Sequence, residues 1–134
     1  MNVEELSAIA VDCGLQVHRD LGPRMLESAY EAVLSHLLVK RGLSIERQKI
    51  VPIAYDGLII DQGFRADIVV ENKLLIELKA VERLSPVHAR QLTTYLKFMN
   101  LPVGFLMNFS CEKFTDGLRR LSTTTVRLIT HASR

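Results

Sequence analysis

The sequence places a glutamate and a lysine two residues apart inside an otherwise apolar run, Leu74-Leu75-Ile76-Glu77-Leu78-Lys79-Ala80. Strand alternation puts Leu74, Ile76, Leu78 and Ala80 on one wholly apolar face and Leu75, Glu77 and Lys79 on the other. Charges in the middle of a hydrophobic strand are unfavourable unless partners compensate them. The preceding run, Phe64-Arg65-Ala66-Asp67-Ile68-Val69-Val70, carries Asp67 in a similar setting, and aspartate is a poor strand former. Strict alternation gives Arg65, Asp67 and Val69 a common face. A tight turn at Glu71-Asn72-Lys73 would make the two runs antiparallel neighbours. Positions 67 and 77 lie symmetrically about 72, so their carboxylates are expected side by side. Such a pair repels and takes a cation between its members, and an all-oxygen site suits Mg²⁺ or Mn²⁺. Lys79, one pleat along, would orient or activate a nucleophilic water, or neutralise developing phosphate charge.

Positioning these groups requires a sheet with helices packed on it. Leu6, Ile9, Ala10, Cys13 and Val17 have helical spacing, with Asn2 and Glu5 as a capping pair. Leu21-Gly22-Pro23 ends that helix, and a second is expected from near Met25 to Gly42. Ile45–Tyr55 then reads as a strand with an edge or bulge position at Pro52, and Asp56-Gly57 as a hairpin turn. Leu58–Asp61, Phe64–Val70 and Leu74–Ala80 follow as separate strands. Ser85-Pro86 opens a helix with a cap and a first-turn proline, which Asn100 and Pro102 end. Val103–Phe109 is expected as a buried strand and Leu121–Ile129 as a final one. The order ααββββαβ with a weak tail is an α/β (α+β) fold, a sheet covered by helices and formed as one domain over 1–134.

Asp67, followed after nine intervening residues by Glu77-Leu78-Lys79, resembles the PD-(D/E)XK phosphodiesterase core, with Ala66-Asp67 in place of the proline and leading aspartate. Gln91-Leu92-Thr93-Thr94-Tyr95 is similar to the QxxxY element of the exonuclease-like branch, in which an acidic residue on an early helix, here Glu27, is a frequent site member. Leu21-Gly22-Pro23-Arg24-Met25-Leu26-Glu27-Ser28-Ala29-Tyr30-Glu31, with Phe64–Asp67, Ile76–Val81, Pro86-Val87-His88, Gln91-Leu92, Tyr95-Leu96 and Asn108-Phe109, resembles the GxxExxY protein family from about residue 5 to 121. Arg24 stands where that family has its first glycine and would alter the helix entry or add a phosphate contact. The resemblance implies a restriction-endonuclease-like core, a mixed central sheet flanked by helices, and a nuclease. Its metal ligands would be Asp67, Glu77, the Leu78 carbonyl and Glu27, with Lys79, Gln91 and Tyr95 as further site residues.

Gln91 and Tyr95 are i and i+4 on their helix, so both face the sheet. Gln91 would hold a water or Lys79. Tyr30 reads as core, and Glu31 as a solvated helix charge. Arg83, His88 and Arg90 gather around the start of the Pro86 helix, where they would track phosphates with Lys79. Arg119 and Arg120 make a second basic pair. The formal charge of +2 and pI near 8.7 neither require nor exclude a nucleic-acid partner. With no Trp and 6% aromatics, base-stacking platforms are underprovided. No apolar run is long enough for a membrane span, and nothing suggests an organic cofactor. Cys13 and Cys111 lack metal or disulfide spacing, and the acidic start does not read as a signal peptide, so a cytoplasmic chain is expected. A sequence-specific nuclease this small would need a second copy or another subunit, and a homodimer is expected. The alternative function is a non-catalytic nucleic-acid- or protein-binding module on the same fold.

Overall fold

The computed structural model describes residues 1–123. The elements run α1 (Val3–Leu21), α2 (Glu27–Lys40), β1 (Ile45–Tyr55), β2 (Leu58–Val70), β3 (Leu74–Lys79), α3 (Pro86–Met99) and β4 (Val103–Asn108), then a 3₁₀ turn at Phe114–Gly117 and β5 (Leu118–Ser122). This is an α+β architecture with a five-stranded mixed sheet in the order β1-β2-β3-β4-β5. Only β3 and β4, which α3 connects, are parallel. The other neighbours are antiparallel.

Two expected strands, Leu58–Asp61 and Phe64–Val70, are one continuous strand. The separation is accommodated by a register shift between Val51 and Ile53, around Pro52. Gly63 lies against Ile53 there, with an ideal Cβ only 2.6 Å from the Ile53 Cγ2, so the missing side chain admits the close approach. The hairpin beyond it pairs only within itself and carries Tyr55, Leu58 and Ile59 exposed at its tip. β5 includes Leu121 and Ser122, while the rest of the span to Ile129 lies outside the described residues.

Asn2 accepts the Glu5 amide and starts α1, whose Leu6, Ala10, Cys13 and Val17 are fully buried. They join Leu34 and Leu38 of α2 against Leu74, Ile76 and Leu78 on one face of the sheet. On the other face Leu92 and Leu96 of α3 cover Val69, Leu75 and Leu106. The glycine at 104 lets α3 come close, since a Cβ there would meet Leu92 and Leu96 at 3.0 Å. Tyr30 is core, stacked on Phe109 with centroids 4.7 Å apart. Its hydroxyl donates to the Gly22 carbonyl at 2.5 Å and accepts the Met25 amide at 3.1 Å. A buried side chain thereby ties down the loop that carries Arg24 and leads into Glu27. Among the described residues no helix is long and apolar enough to cross a membrane.

Candidate functional site

The turn joining β2 to β3 determines which side chains meet. Glu71 and Asn72 both have positive φ, +53° each, and the Lys73 amide donates to the Val70 carbonyl at 2.9 Å. Asparagine tolerates that backbone region better than most residues. Glu71 is held from outside as well, its amide donating to the Ser44 carbonyl and its carboxylate accepting the Ser44 amide. The resulting register pairs Val70 with Leu74, Val69 with Leu75 and Ile68 with Ile76. One step further, regular pairing gives way to side-chain bonds. The Asp67 amide donates to Glu77 Oε2 at 3.3 Å, and Asp67 Oδ2 accepts the Leu78 amide at 2.9 Å. Asp67 and Glu77 are adjacent, as the symmetry about residue 72 requires.

The surroundings make this pair electrostatically unusual. Glu77 is buried with 5% of its surface exposed, while Asp67 and Lys79 are half-buried. Burial pushes the Glu77 carboxyl up to about 10, and the hydrogen bond and negative charge of Asp67 push in the same direction. At neutral pH Glu77 therefore keeps its proton, the direction that burial and a neighbouring carboxylate impose. Partial burial also raises the Glu27 carboxyl, as does the charge of Asp67, with Lys79 opposing. Glu27, the first residue of α2, is thus within electrostatic reach of the pair. Among the described residues, however, no three His, Cys, Asp or Glu side chains converge as one metal-binding group.

The α3 face supplies the remaining groups. Lys79 Nζ donates to Gln91 Oε1 at 3.4 Å. Tyr95, one turn along, stacks on Phe64 with centroids 3.9 Å apart and planes 8° from parallel. Burial, then Glu77 and Asp67, raise its phenol above the ordinary value. Ser85 and His88 cap α3 reciprocally, His88 Nδ1 accepting the Ser85 amide at 3.0 Å, so this ring nitrogen serves the helix. Arg24, Arg83 and Arg90 are exposed, and none forms an ion pair among the described residues. Arg119 and Arg120 differ from the expected basic pair. Arg119 donates to the Asp116 and Leu118 carbonyls, and Arg120 grips Glu4 with two nitrogens.

Two further expectations are corrected. Glu31 is not a solvated charge: it is 7% exposed and bonded to Arg47 and Gln48. Its position one helical turn after Glu27 was a signal that it faces the same side. Nor do Arg65, Asp67 and Val69 share a face in simple alternation. Ala66 and Val69 belong to the same α3-side cluster and Phe64 stacks on Tyr95, so alternation breaks at Asp67. Gln48, which donates to Asp67 Oδ1 at 3.3 Å, carried no sequence signal that would have singled it out.

The arrangement comprises paired carboxyl groups on the adjacent strands β2 and β3, an ammonium on β3, and an amide and a phenol from α3. It suits binding a hard cation and managing charge on a phosphodiester. No curated protein and no solved structure matches the chain. The family model of the PD-(D/E)XK nuclease superfamily matches residues 4–121.

Proposed function

Because the chain belongs to the PD-(D/E)XK nuclease superfamily, we propose that it is a metal-dependent nuclease of the GxxExxY type, hydrolysing phosphodiester bonds of DNA or RNA. The superfamily generally uses divalent metals such as Mg²⁺. The observation that most supports the reading is the adjacency of Asp67 and the buried Glu77, joined through the Asp67 amide, beside Lys79 on the same strand. Two adjacent carboxyl groups form an all-oxygen donor set that fits Mg²⁺ or Mn²⁺. Asp67, Glu77 and the Leu78 carbonyl would hold the ion, with Glu27 as a further oxygen. When bound, the ion supplies a Lewis acid that polarises a phosphoryl oxygen and lowers the pKa of water.

The chain's own residues do the rest. Lys79 orients the attacking water toward phosphorus and offsets the charge that develops as the bond to the leaving oxygen breaks. Gln91 holds the Lys79 ammonium in place, and Tyr95 closes the α3 side. Arg24, Arg83, His88 and Arg90 contact flanking phosphates through a salt-sensitive, sequence-independent attraction. The free thiols of Cys13 and Cys111 fit a reducing, cytoplasmic location. The single domain acts as a homodimer, which a monomeric mass in light scattering would refute.

The test is cleavage of double-stranded DNA, single-stranded DNA and RNA in Mg²⁺ or Mn²⁺ by the purified chain and by Lys79→Ala. Cleavage is expected from the first and a loss of at least about 100-fold from the second. Wild-type protein that cleaves none of these substrates, yet binds DNA without metal and after loss of the carboxylates, would establish the non-catalytic binding module instead.

A further inference from the structure

In a regular strand consecutive side chains point to opposite faces, yet Arg47 and Gln48 of β1 reach the same carboxylate on α2. Arg47 donates to Glu31 Oε2 through Nε at 3.1 Å and forms an ion pair with the same oxygen at 3.0 Å, while Gln48 Nε2 donates to Glu31 Oε1. The backbone permits this because Gln48 has φ +50°, the left-handed region that a glutamine seldom occupies. The β1–β2 ladder keeps one register on either side, Arg47 with Ile68 and Lys49 with Ala66, and skips the pair between them. That skipped pair is Gln48 and Asp67. Both strands therefore lose alternation at the same rung, on β2 at the residue that meets Glu77.

From this coincidence we infer that Gln48 is a positioning residue for Asp67. Its amide nitrogen donates to Glu31 Oε1 and to Asp67 Oδ1 at 3.3 Å, linking an anchored carboxylate on α2 to the half-buried one on β2. Glu31 is an effective anchor because Arg47 occupies its other oxygen and burial keeps it from solvent. Asp67 is held at its second oxygen by the Leu78 amide. With both oxygens engaged, the rotation of the Asp67 carboxylate is fixed. Unfavourable backbone geometry retained at such a rung is characteristic of functional sites. The inference rests on the metal-site reading for its purpose, but the contact it concerns can be measured without metal.

Two variants separate position from stability. Gln48→Gly removes the side chain and adopts φ +50° without strain. Gln48→Glu keeps the shape and removes both donors. In the ¹⁵N-labelled full chain free of metal, amide exchange of Leu78 is expected to speed up at least about tenfold in both variants, with Leu75 and Ile76 of the same strand unchanged. The affinity for Mn²⁺ alone, by titration calorimetry, is expected to fall at least about fivefold in Gln48→Gly without a lower melting temperature. Unchanged Leu78 exchange in both variants would overturn the inference, as would uniform acceleration along β2 and β3, which marks a merely structural role. A wild-type chain that binds no Mn²⁺ would refute the metal-site reading instead, and Leu78 exchange would still decide the role of Gln48.

Discussion

Glu77→Gln is the perturbation that most directly interrogates the carboxyl pair. In the folded chain burial, reinforced by Asp67, pushes the Glu77 carboxyl from 4.5 up to about 10. Between those values the folded state keeps a proton that the unfolded state releases. A raised acid pKa stabilises the fold fully below the unfolded value, and that stability is lost as pH rises toward the folded one. Each pH unit in the window corresponds to about 1.4 kcal/mol. From about pH 5 to about pH 8 the loss is up to about 4 kcal/mol, a large share of the roughly 5–15 kcal/mol that holds a domain folded. Glutamine imitates the protonated acid at every pH and donates its own N–H toward Asp67. Urea unfolding of both chains in chelator across this range should therefore show wild type losing stability relative to the Glu77→Gln variant, which overtakes it at the alkaline end. Groups that titrate alike in both chains cancel in the difference. Curves parallel to within about 0.5 kcal/mol, near the uncertainty of such extrapolations, would refute a buried Glu77 that keeps its proton.

Mn²⁺ at about 100 times its dissociation constant should stabilise the wild-type chain by about 2.7 kcal/mol in thermal or urea melts. At one fixed Mn²⁺ concentration the shift should be larger at about pH 8 than at about pH 6, because binding must displace the Glu77 proton, and Asp67→Asn should abolish it; a shift surviving that change would place the ion elsewhere. Tyr30→Phe leaves the Gly22 carbonyl and Met25 amide without their partner and should cost about 1–3 kcal/mol by urea unfolding. Unaltered stability would show that the loop before Glu27 is held by other contacts. Asn108→Ala should cost about 2–4 kcal/mol in the same assay, since this fully buried amide bonds both the amide and carbonyl of Val81 and the Ser110 amide. A loss below about 0.5 kcal/mol would contradict those bonds.

The parts of this molecule legible in the sequence are those governed by local rules. Helical spacing in α1, the Ser85-Pro86 start of α3 and the Pro52 irregularity each follow from one residue type acting on its own neighbourhood. The meeting of Asp67 and Glu77 was legible because a tight turn converts sequence symmetry into spatial register, and the ladder through Ile68 and Ile76 follows that symmetry. The misreadings arise where a second, distant element decides. Leu58–Asp61 and Phe64–Val70 read as separate strands, but they are one, and Ile53 across the hairpin explains why Gly63, a residue without a Cβ, stands inside it. Glu31 looked solvated because its partners, Arg47 and Gln48, belong to another element.

The break at Gln48 and Asp67 shows why a site of this kind resists pattern reading. Alternation is the rule by which a strand sorts its side chains, and a strand that obeyed it here would send Arg47 and Gln48 to opposite faces. One residue in the left-handed region suspends the rule for a single rung, and the unchanged register on both sides confines the disturbance there. Asp67 then uses both its backbone amide and its carboxylate across the gap, toward Glu77 and Leu78. The apolar faces around it remain packed, since Ile68 and Val69 are still buried on opposite sides of the sheet. A polar constellation can thus be set into a hydrophobic sheet without unravelling it, provided the strand departs from regularity at the residue that bears the charge.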